Sequence, residues 1–538
     1  MRAHCFPFIL FSFCLLIWTG CHQSEKSTTR QSSTLRMNIE GDPQTLDPRR
    51  VRDLPTVTMI HMLYEGLMRM QADGQPQPAL AEKVTLSPDK KTYTFHLRPS
   101  IWSDGQPITA HDFEQTWKSL LDPQSPSPNA YQLYVIRGAQ AAKEGQASPE
   151  QIGVSAPDDS TLIVELEQPT PYFLHLTATH FFYPVHASLR QQSKDASALP
   201  DSQIFTNGPF QLKKWSHHNE LILTPNLHYW DKQNVHLDGI HLVVLDNSTA
   251  LQSFQRGELD WTGSPLSTLS VDALASLKDQ GKLEVTPAAG VYLIRVNIEK
   301  PPFDHVKMRQ AFALALNRAD LVEYVLQGNQ EPAFGLIPYS FIDGQPFFDD
   351  DNLSLARRFF QEALEEQSLS LEKLPPITLY YASSERAHKI AQVAQQQWKA
   401  ALGVNVSLQS NEAKVYYDRL KNHDYQLGIG SWFADFHDPM SFLEIFKSKD
   451  NGTNNTQWEN PRYIKLLNQS SLARLSQEKR HKILKQAERV IMNEMPVIPL
   501  FFGSYNYVKD PTLKGVYFSE LGYLDFKNAY WDNRHQQK

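Results

Sequence analysis

The cysteines are the first side chains to consider, because a thiol can act as a nucleophile, ligate a metal or form a disulfide. The chain of 538 residues contains three of them, Cys5, Cys14 and Cys21. No cysteine follows Cys21. The sequence therefore excludes thiol catalysis and disulfide bonds from the whole chain beyond that position.

Metal-dependent and hydrolytic chemistry would need other residue patterns. His217 and His218 form the only adjacent histidine pair, which we interpret as a surface turn before a predicted strand. The chain has no Gly-x-Ser-x-Gly elbow, no His-Glu-x-x-His pair and no Gly-x-x-x-x-Gly-Lys-Ser/Thr loop. Scattered Ser, His and Asp side chains could still converge in space, so an enzyme is the competing class. We predict a protein that is not an enzyme and has no cofactor and no metal.

The N-terminal 20 residues predict a secretory signal peptide. Basic residues precede an apolar run from Phe6 to Trp18, and the small residues Thr19 and Gly20 follow it. The apolar run of 13 residues is too short for a membrane-spanning helix, which needs about 20. An exported protein is therefore expected, and a transmembrane anchor is the weaker interpretation.

Cys21 directly follows Gly20, and this resembles the lipobox of bacterial lipoproteins, in which the cysteine carries lipid. Trp18 stands where that motif prefers Leu. An ordinary signal peptide that happens to contain a cysteine is the alternative. The polar stretch over residues 23–33 has no hydrophobic period and is expected to form a flexible tether.

The composition is that of an ordinary globular protein, with 41% hydrophobic and 21% charged residues. A net charge of −7 and a pI near 6.3 do not suggest a nucleic-acid-binding protein, which usually carries a basic stripe. The length is too great for one hydrophobic core, so two or three domains are expected.

The second half predicts a strand–helix–strand unit. Residues 377–381 and 404–408 are expected to form strands, and residues 385–402 an intervening helix that ends at Gly403. Such a crossover favours parallel strands whose carboxyl ends face a ligand. After a short helix over 414–420, residues 425–432 read as the next strand, so Asp435 falls just past a strand end.

Several ordered blocks resemble the family of extracytoplasmic solute-binding proteins that bind peptides, nickel or opines (family 5), above all its oligopeptide-binding members. The likeness extends from about Leu35 to about Phe526. The blocks are Glu40–Pro48, Tyr64–Leu67, Ser87–Arg98, Trp102–Phe113, Thr206–Phe210, Pro302–Asp304, Met308–Phe312 and Met495–Pro499.

The resemblance implies a mixed α/β fold with two lobes that close on the ligand like a Venus flytrap, plus an inserted subdomain. After a signal peptide over 1–20 and a lipidated cysteine and tether over 21–34, the first lobe would comprise 35–64, 189–289 and 504–530. The inserted subdomain would comprise 65–188, and the second lobe 290–503.

The resemblance also implies where a peptide would lie. Asp435, within the segment Ser431–Pro439, matches the aspartate that receives the ligand amino group, because a buried ammonium needs a carboxylate partner. Asp438 is better explained as the cap of a helix starting near Pro439. Backbone pairing is expected from Ser431, Trp432 and Phe433, and from Arg52, Asp53 and Leu54 on the first lobe.

The carboxylate end of the ligand departs from the family pattern. Relatives that bind longer peptides have a basic residue six positions before the aspartate, where this chain has Ile429. Arg419 and Lys421 could substitute, or they could form a solvated helix face. An aromatic residue of the family is replaced by Asn129, and Tyr131 follows two positions later.

The function implied is that of the peptide-binding component of an ABC importer, anchored in the cell envelope or periplasm, monomeric, and delivering short peptides to the permease in the inner membrane. Murein peptides or dipeptides are the alternative ligands. Metal chelates, haem, or a role as a surface interaction protein are the less favoured alternatives.

Overall fold

The computed structural model describes residues 33–532 except 52, 72–73, 126, 128–129, 191–202, 343–345, 451 and 473–474. Cys21 and the predicted signal peptide and tether lie outside the described residues, apart from the last residues of the tether. Within the described part of the chain, no helix has the length and apolar character to cross a bilayer.

The strands and helices are numbered in chain order. The strands are β1 (Thr34–Ile39), β2 (Met68–Met70), β3 (Pro76–Pro78), β4 (Ala81–Leu86), β5 (Thr92–Leu97), β6 (Val154–Asp158), β7 (Thr161–Glu165), β8 (Phe210–Ser216), β9 (Glu220–Pro225), β10 (Gly239–Val244), β11 (Trp261–Gly263), β12 (Glu284–Val296), β13 (Glu331–Pro332), β14 (Ile377–Ala382), β15 (Val406–Asn411), β16 (Leu427–Phe433), β17 (Val497–Lys509), β18 (Leu513–Lys514), β19 (Tyr517–Phe518), β20 (Leu524–Asp525) and β21 (Tyr530–Trp531).

The helices are α1 (Leu54–Leu63), α2 (Ala110–Leu120), α3 (Ala139–Lys143), α4 (Phe173–Leu176), α5 (Ala187–Arg190), α6 (Asn247–Gln255), α7 (Val271–Asp279), α8 (Val306–Leu314), α9 (Arg318–Asp320), α10 (Leu353–Glu366), α11 (Glu385–Leu402), α12 (Ala413–Lys421), α13 (Met440–Leu443), α14 (Pro461–Ser470) and α15 (Gln477–Glu494). A π-helical turn, Leu321–Leu326, follows α9.

One large mixed sheet runs through the molecule in the order β15-β14-β16-β12-β17-β11-β1-β10-β9-β8, with β13 paired to β17. Two of its strands, β12 and β17, are 13 residues long and pair with each other on both sides of a register shift between Pro287 and Val291. The lobe boundaries predicted at 289/290 and 503/504 fall inside these two strands. The division into lobes at these residues remains a prediction.

The predicted strand–helix–strand unit is present, and its strands are parallel as expected. β14 pairs in parallel with β15 and with β16, and α11 has the predicted limits, with Gly403 in the left-handed region at φ 73°. The following strand starts two residues later than predicted, at Val406, because its pairing with β14 begins at Ile377 opposite Val406. Similarly, β16 covers Leu427–Phe433 rather than 425–432.

The predicted inserted segment contains a separate antiparallel sheet in the order β4-β5-β7-β6. Helix α2 packs on this sheet, and its apolar face buries Phe113 and Trp117 completely. A capping box begins this helix, since the Thr109 amide donates to Asp112 Oδ2 at 2.9 Å. This small sheet has its own apolar face but shares one continuous core with the first lobe.

A buried ionic cluster joins distant parts of the chain. Arg69 donates to both carboxylate oxygens of Asp525 at 2.8 Å, and to Glu65 Oε1 at 3.0 Å. Glu65 is fully buried and also accepts from Tyr229 and Trp230 at 2.7 and 2.6 Å. The cluster thereby ties β2 to β20, a strand near the C-terminus.

Candidate functional site

Asp435 lies two residues past the end of β16, at the carboxyl end of a strand in the large sheet, as the sequence predicts. Both main-chain polar groups of Asp435 form hydrogen bonds. The amide donates to Ser441 Oγ at 2.9 Å, and the carbonyl accepts from the Tyr523 hydroxyl at 3.4 Å. Ser441 belongs to α13, so the helix that follows the loop fixes the backbone of this residue.

The Asp435 carboxylate is half-buried and faces the inserted segment. The Tyr131 hydroxyl donates to its Oδ2 at 3.2 Å, so the structure brings these two predicted site residues together. Burial raises the pKa of Asp435 to about 6, against the lowering effect of Gln132 and Tyr131 beside it. Among the described residues, no cation lies within ion-pair distance of this carboxylate. Within the described part of the chain, this carboxylate therefore lacks a positive partner.

Asp438, unlike Asp435, has a positively charged partner. Its carboxylate forms a buried pair with Arg480, at 2.6 and 2.8 Å, and its Oδ1 accepts from the Met440 amide at 2.8 Å. The structure thus supports the interpretation that Asp438 caps the helix that follows, and it leaves Asp435 as the carboxylate available to a ligand.

The loop that carries Asp435 packs against the inserted segment through aromatic rings. Phe436 stacks on Tyr172 with the ring centroids 4.4 Å apart, and the ring centroids of His437 and His175 are 6.3 Å apart. Burial lowers the pKa of His175 to about 4, so this contact is formed with a neutral imidazole at neutral pH. These contacts hold the Asp435 loop between the large sheet and the inserted segment.

One edge of the strand before Asp435 is only partly covered by another strand, although the Ile429 and Ser431 carbonyls of this strand accept hydrogen bonds from the side chains of Tyr416 and Arg295. β16 pairs with β12 along its whole length, from Leu427 to Phe433. Its other edge pairs with β14 only at Leu427 and Gly428. In the described part of the chain, no strand pairs with that edge from Ile429 onward, so the predicted residues Ser431, Trp432 and Phe433 border a place for an added strand.

The side chains of these three residues point to different surroundings. Trp432 donates its indole N–H to the Ser441 carbonyl at 2.7 Å, which is a structural contact. Phe433 is 38% exposed and lines the cleft. Its ring lies over Gly290 and Gly503. A Cβ atom added to Gly503 would lie 3.6 Å from a ring carbon of Phe433.

A cavity of about 460 Å³ opens beside Phe433, within the size range of small-ligand sites. Its wall on the second-lobe side is aromatic, since Tyr292 and Phe501 stack with their centroids 4.6 Å apart. The cavity is lined from both lobes, and its lining includes Glu40, Asp42, Asp53, Leu54, Tyr292, Arg386, Phe433 and Asn506.

The first-lobe residues predicted for the site reach this cavity in part. Asp53 and Leu54 line it, while Arg52 lies outside the described residues. Asp53 also caps α1, because its Oδ1 accepts from the Thr56 amide at 2.9 Å and from the Thr56 hydroxyl at 2.7 Å. Its side chain is therefore occupied by the fold, and its backbone is the part that could contact a ligand.

Arg419 is not brought to the cavity. It pairs with Asp424, donates to the Asp424 carbonyl at 3.0 Å and lies over the Tyr380 ring at 4.6 Å. These contacts favour the alternative in which the charges near α12 belong to the helix surface. Ile429, which takes the place of the expected basic residue, is buried in the second-lobe core.

Sequence reasoning missed Tyr292, Gln132 and Arg386. None of them belongs to a block of the family pattern, and each is brought to the site by a different element. Tyr292 is placed by the pairing of β12 with β16, which sets it opposite Ser431. No local signal in the sequence marks these residues.

The histidine pair has a structural explanation. His217 Nδ1 lies 3.1 Å from Asp42 Oδ2, and the His218 amide donates to the same oxygen at 2.8 Å. Among the described residues, no three His, Cys, Asp or Glu side chains are grouped so as to hold a metal ion.

Comparison with known proteins finds relatives over most of the chain. A model of the bacterial extracellular solute-binding proteins of family 5 matches residues 75–454. The oligopeptide-binding protein OppA of Bacillus subtilis is 41% identical over 530 residues, covering 97% of each chain. The periplasmic murein peptide-binding protein MppA of Escherichia coli is 31% identical and covers 90% of each chain.

A solved structure shows the same architecture. The Haemophilus influenzae OppA complex with the peptide RPPGFSPFR superposes with a TM-score of 0.78 at 27% identity, covering 93% of this chain and 99% of the other. The predicted fold class, a mixed α/β binding-protein fold of this type, is therefore confirmed.

Proposed function

Because this chain belongs to the bacterial extracellular solute-binding proteins of family 5, we propose that it captures short peptides between its lobes and delivers them to the permease of an ABC importer. The observation that carries the proposal is the half-buried Asp435 carboxylate, which has no cation beside it in the described structure. A peptide amino group would supply the missing positive charge.

The strand edge next to Asp435 supports the same ligand class. An extended peptide whose amino group meets Asp435 could pair its backbone with β16 beyond Gly428, where β14 no longer does. Main-chain pairing stabilises a complex without demanding particular side chains. The cavity beside Phe433 would then hold one or more ligand side chains, and specificity would be broad.

Binding requires no catalytic step. The proposal is that the protein is not an enzyme and acts as a monomer. Incubation of the purified protein with excess peptide, followed by mass analysis of the peptide, would show hydrolysis if this part were wrong.

Dipeptides and murein peptides are the second candidate ligands. A dipeptide-binding protein of B. subtilis, DppE, is 34% identical and covers 95% of this chain, and MppA is named for murein peptide. Asp435 would accept the amino group of any of these ligands.

Native mass spectrometry of the purified protein tests the proposal directly. A ligand retained from the cell would add the mass of a short peptide, and titration calorimetry with defined di-, tri- and tetrapeptides would rank the lengths. Absence of both retained peptide and heat of binding would reject peptide capture.

We further propose export and lipid attachment at Cys21, which would keep the protein at the outer face of the membrane. The support is the leader and the Gly20-Cys21 pair described above. The Cys21→Ala variant should move from the membrane fraction to the soluble fraction after cell lysis. An unchanged membrane fraction would argue against the anchor.

We predict a pH optimum for peptide affinity. The raised pKa of about 6 means that Asp435 becomes protonated as the pH falls below 6, whereas an ammonium binds the ionised carboxylate. Affinity should therefore decrease by up to about tenfold per pH unit below 6. Above pH ~8 the peptide amine loses its proton and affinity should fall again.

Calorimetry from pH 4.5 to 9 checks this profile. An N-acetylated peptide is the matched control, because its affinity does not depend on the ionisation of Asp435. An equally steep acid limb for the acetylated peptide would show that another group, or partial unfolding, causes the pH dependence.

We predict that residue 290 must be glycine, because the Phe433 ring lies directly against it. A Cβ atom on residue 290 would overlap that ring, so Phe433, which lines the cavity, would have to shift. We expect Gly290→Ala to weaken peptide binding by about tenfold, with a stability loss of about 1 kcal/mol. Gly452→Ala is the control, since among the described residues no atom other than those of its chain neighbours lies within 4 Å of the added Cβ. Equal peptide affinities in both variants would contradict the prediction.

A further inference from the structure

The partly covered edge of β16 is formed by every second residue of the strand. The Ala434 amide, directly after β16, donates to the Ala289 carbonyl of β12 at 2.8 Å. Because successive residues of a strand direct their main-chain groups to opposite edges, Ile429, Ser431 and Phe433 face away from β12. They form the edge that β14 leaves uncovered after the first two residues of β16. A ligand strand added here would meet these three residues.

Two carbonyls of this edge already accept hydrogen bonds from side chains. The Tyr416 hydroxyl of α12 donates to the Ile429 carbonyl. Arg295, on β12, donates from Nη2 to the Ser431 carbonyl at 3.2 Å. The hydroxyl and the guanidinium therefore take the place of amide groups that an added strand would donate. Phe433 differs from both, because within the described part of the chain no strand or side chain pairs with its main-chain groups on this edge.

Gly430 makes room for the Arg295 guanidinium. A Cβ atom on residue 430 would overlap Nη1 of that arginine, so the guanidinium lies directly against the backbone of β16. Among the described residues, no carboxylate lies within ion-pair distance of Arg295, and its guanidinium binds the Ser431 carbonyl instead. A glycine and an arginine on neighbouring strands thus combine to occupy one main-chain acceptor of the edge.

We infer that Arg295 and Tyr416 close this edge beyond Phe433, and that they thereby limit how much of a peptide backbone the strand can pair. A carbonyl oxygen can accept a second hydrogen bond, but the two side chains occupy the space that a ligand backbone would need at these carbonyls. Main-chain pairing is then confined to Phe433, the edge residue nearest to Asp435. This inference rests on the proposed peptide-binding function, whose strand pairing it narrows.

The limit corresponds to a short peptide. Phe433 and Ser431 precede Asp435 by two and four residues, which is about 7 and 13 Å of strand at roughly 3.3 Å per residue. An extended peptide whose amino group meets Asp435 and which runs back along β16 brings its second or third residue to Phe433. Its fourth residue would reach Ser431. Residues beyond the third would therefore add no backbone hydrogen bonds on this edge.

The test measures affinity against peptide length by calorimetry, with the C-terminal amides of di-, tri-, tetra- and penta-alanine. An amide carries no carboxylate, so the charge of Arg295 forms no ion pair with these ligands. Wild-type affinity should rise up to the tripeptide and then stay constant within about twofold. Arg295→Ala frees the Ser431 carbonyl, so this variant should bind the tetrapeptide about fivefold more tightly than the tripeptide, the effect of one added hydrogen bond.

Gly430→Ala is the second variant, because its Cβ atom displaces the guanidinium while the charge is kept. It should show the same gain with length as Arg295→Ala. The matched controls are Arg256→Ala, which removes an arginine from an exposed pair with Glu258, and Gly452→Ala. Both controls should keep the wild-type dependence on length.

Several results would overturn the inference. They are a wild-type affinity that keeps rising through the pentapeptide, variants that keep the wild-type dependence on length, a gain in Arg295→Ala that Gly430→Ala does not share, or equal weakening of all lengths in either variant. If circular dichroism showed that one variant does not fold, the wild-type series and the other variant would still decide. If wild type bound none of the amides and no free peptide, the proposed function itself would fail, and this result is distinct from an altered dependence on length.

Discussion

Replacing Asp435 with Asn should weaken the binding of peptides with a free amino group by about 2–5 kcal/mol. The variant keeps the shape of the side chain and can still accept from the Tyr131 hydroxyl, which lies 3.2 Å from the carboxylate. What it loses is the negative charge. The ligand ammonium would then be buried in the closed cleft without a counter-charge, and this accounts for the size of the effect.

The measurement is titration calorimetry with a matched pair of peptides, one with a free amino group and one N-acetylated. The acetylated peptide should bind wild type and Asp435→Asn within about threefold of each other, because it brings no ammonium. Asp424→Asn is a control that removes a surface carboxylate paired with Arg419. Equal affinity of wild type and Asp435→Asn for the free-amino peptide would remove Asp435 from the site.

The Arg69→Ala substitution should produce the largest loss of stability, about 3–5 kcal/mol in the free energy of unfolding. Arg69 is buried, and it is the only cation that contacts both Glu65 and Asp525 among the described residues. Its removal leaves two carboxylates without this positive partner, the fully buried one of Glu65 and the largely buried one of Asp525. The cost of these uncompensated charges exceeds that of the lost contacts.

Urea denaturation followed by tryptophan fluorescence and circular dichroism would measure the loss. Arg256→Ala is the control, because Arg256 forms an exposed pair with Glu258 and such pairs contribute about 0–1 kcal/mol. A midpoint for Arg69→Ala equal to that of Arg256→Ala would show that the cluster does not hold β20 in place. Peptide added to saturation should raise both midpoints, since it binds only the folded state.

Two of the family blocks meet beside this ionic cluster. Glu65 belongs to one block and Asn207 to another, and the two residues exchange hydrogen bonds. The Glu65 amide donates to Asn207 Oδ1 at 3.1 Å, and Asn207 Nδ2 donates to the Glu65 carbonyl at 2.9 Å. These two blocks thus stabilise the architecture through hydrogen bonds to each other. They give little information about the ligand.

Local patterns in the sequence were sufficient for the secondary structure around the site. The α11 helix has an apolar period, a serine cap at Ser384 and a glycine at its end, all of which act within a few residues. The same kind of signal placed Asp435 past a strand end and distinguished Asp438 as a helix cap. Such features depend on neighbours in the chain, so the sequence alone determines them.

The partners of the site residues depended on the tertiary structure. Tyr131 reaches Asp435 across 304 positions of sequence, and Arg386 of α11 meets Tyr292, which the pairing of β12 with β16 holds in place. The sequence also suggested Arg419 for the carboxylate end, but the fold pairs it with Asp424. Which charges remain without a partner is decided by long-range packing, and no pattern of neighbouring residues reports it.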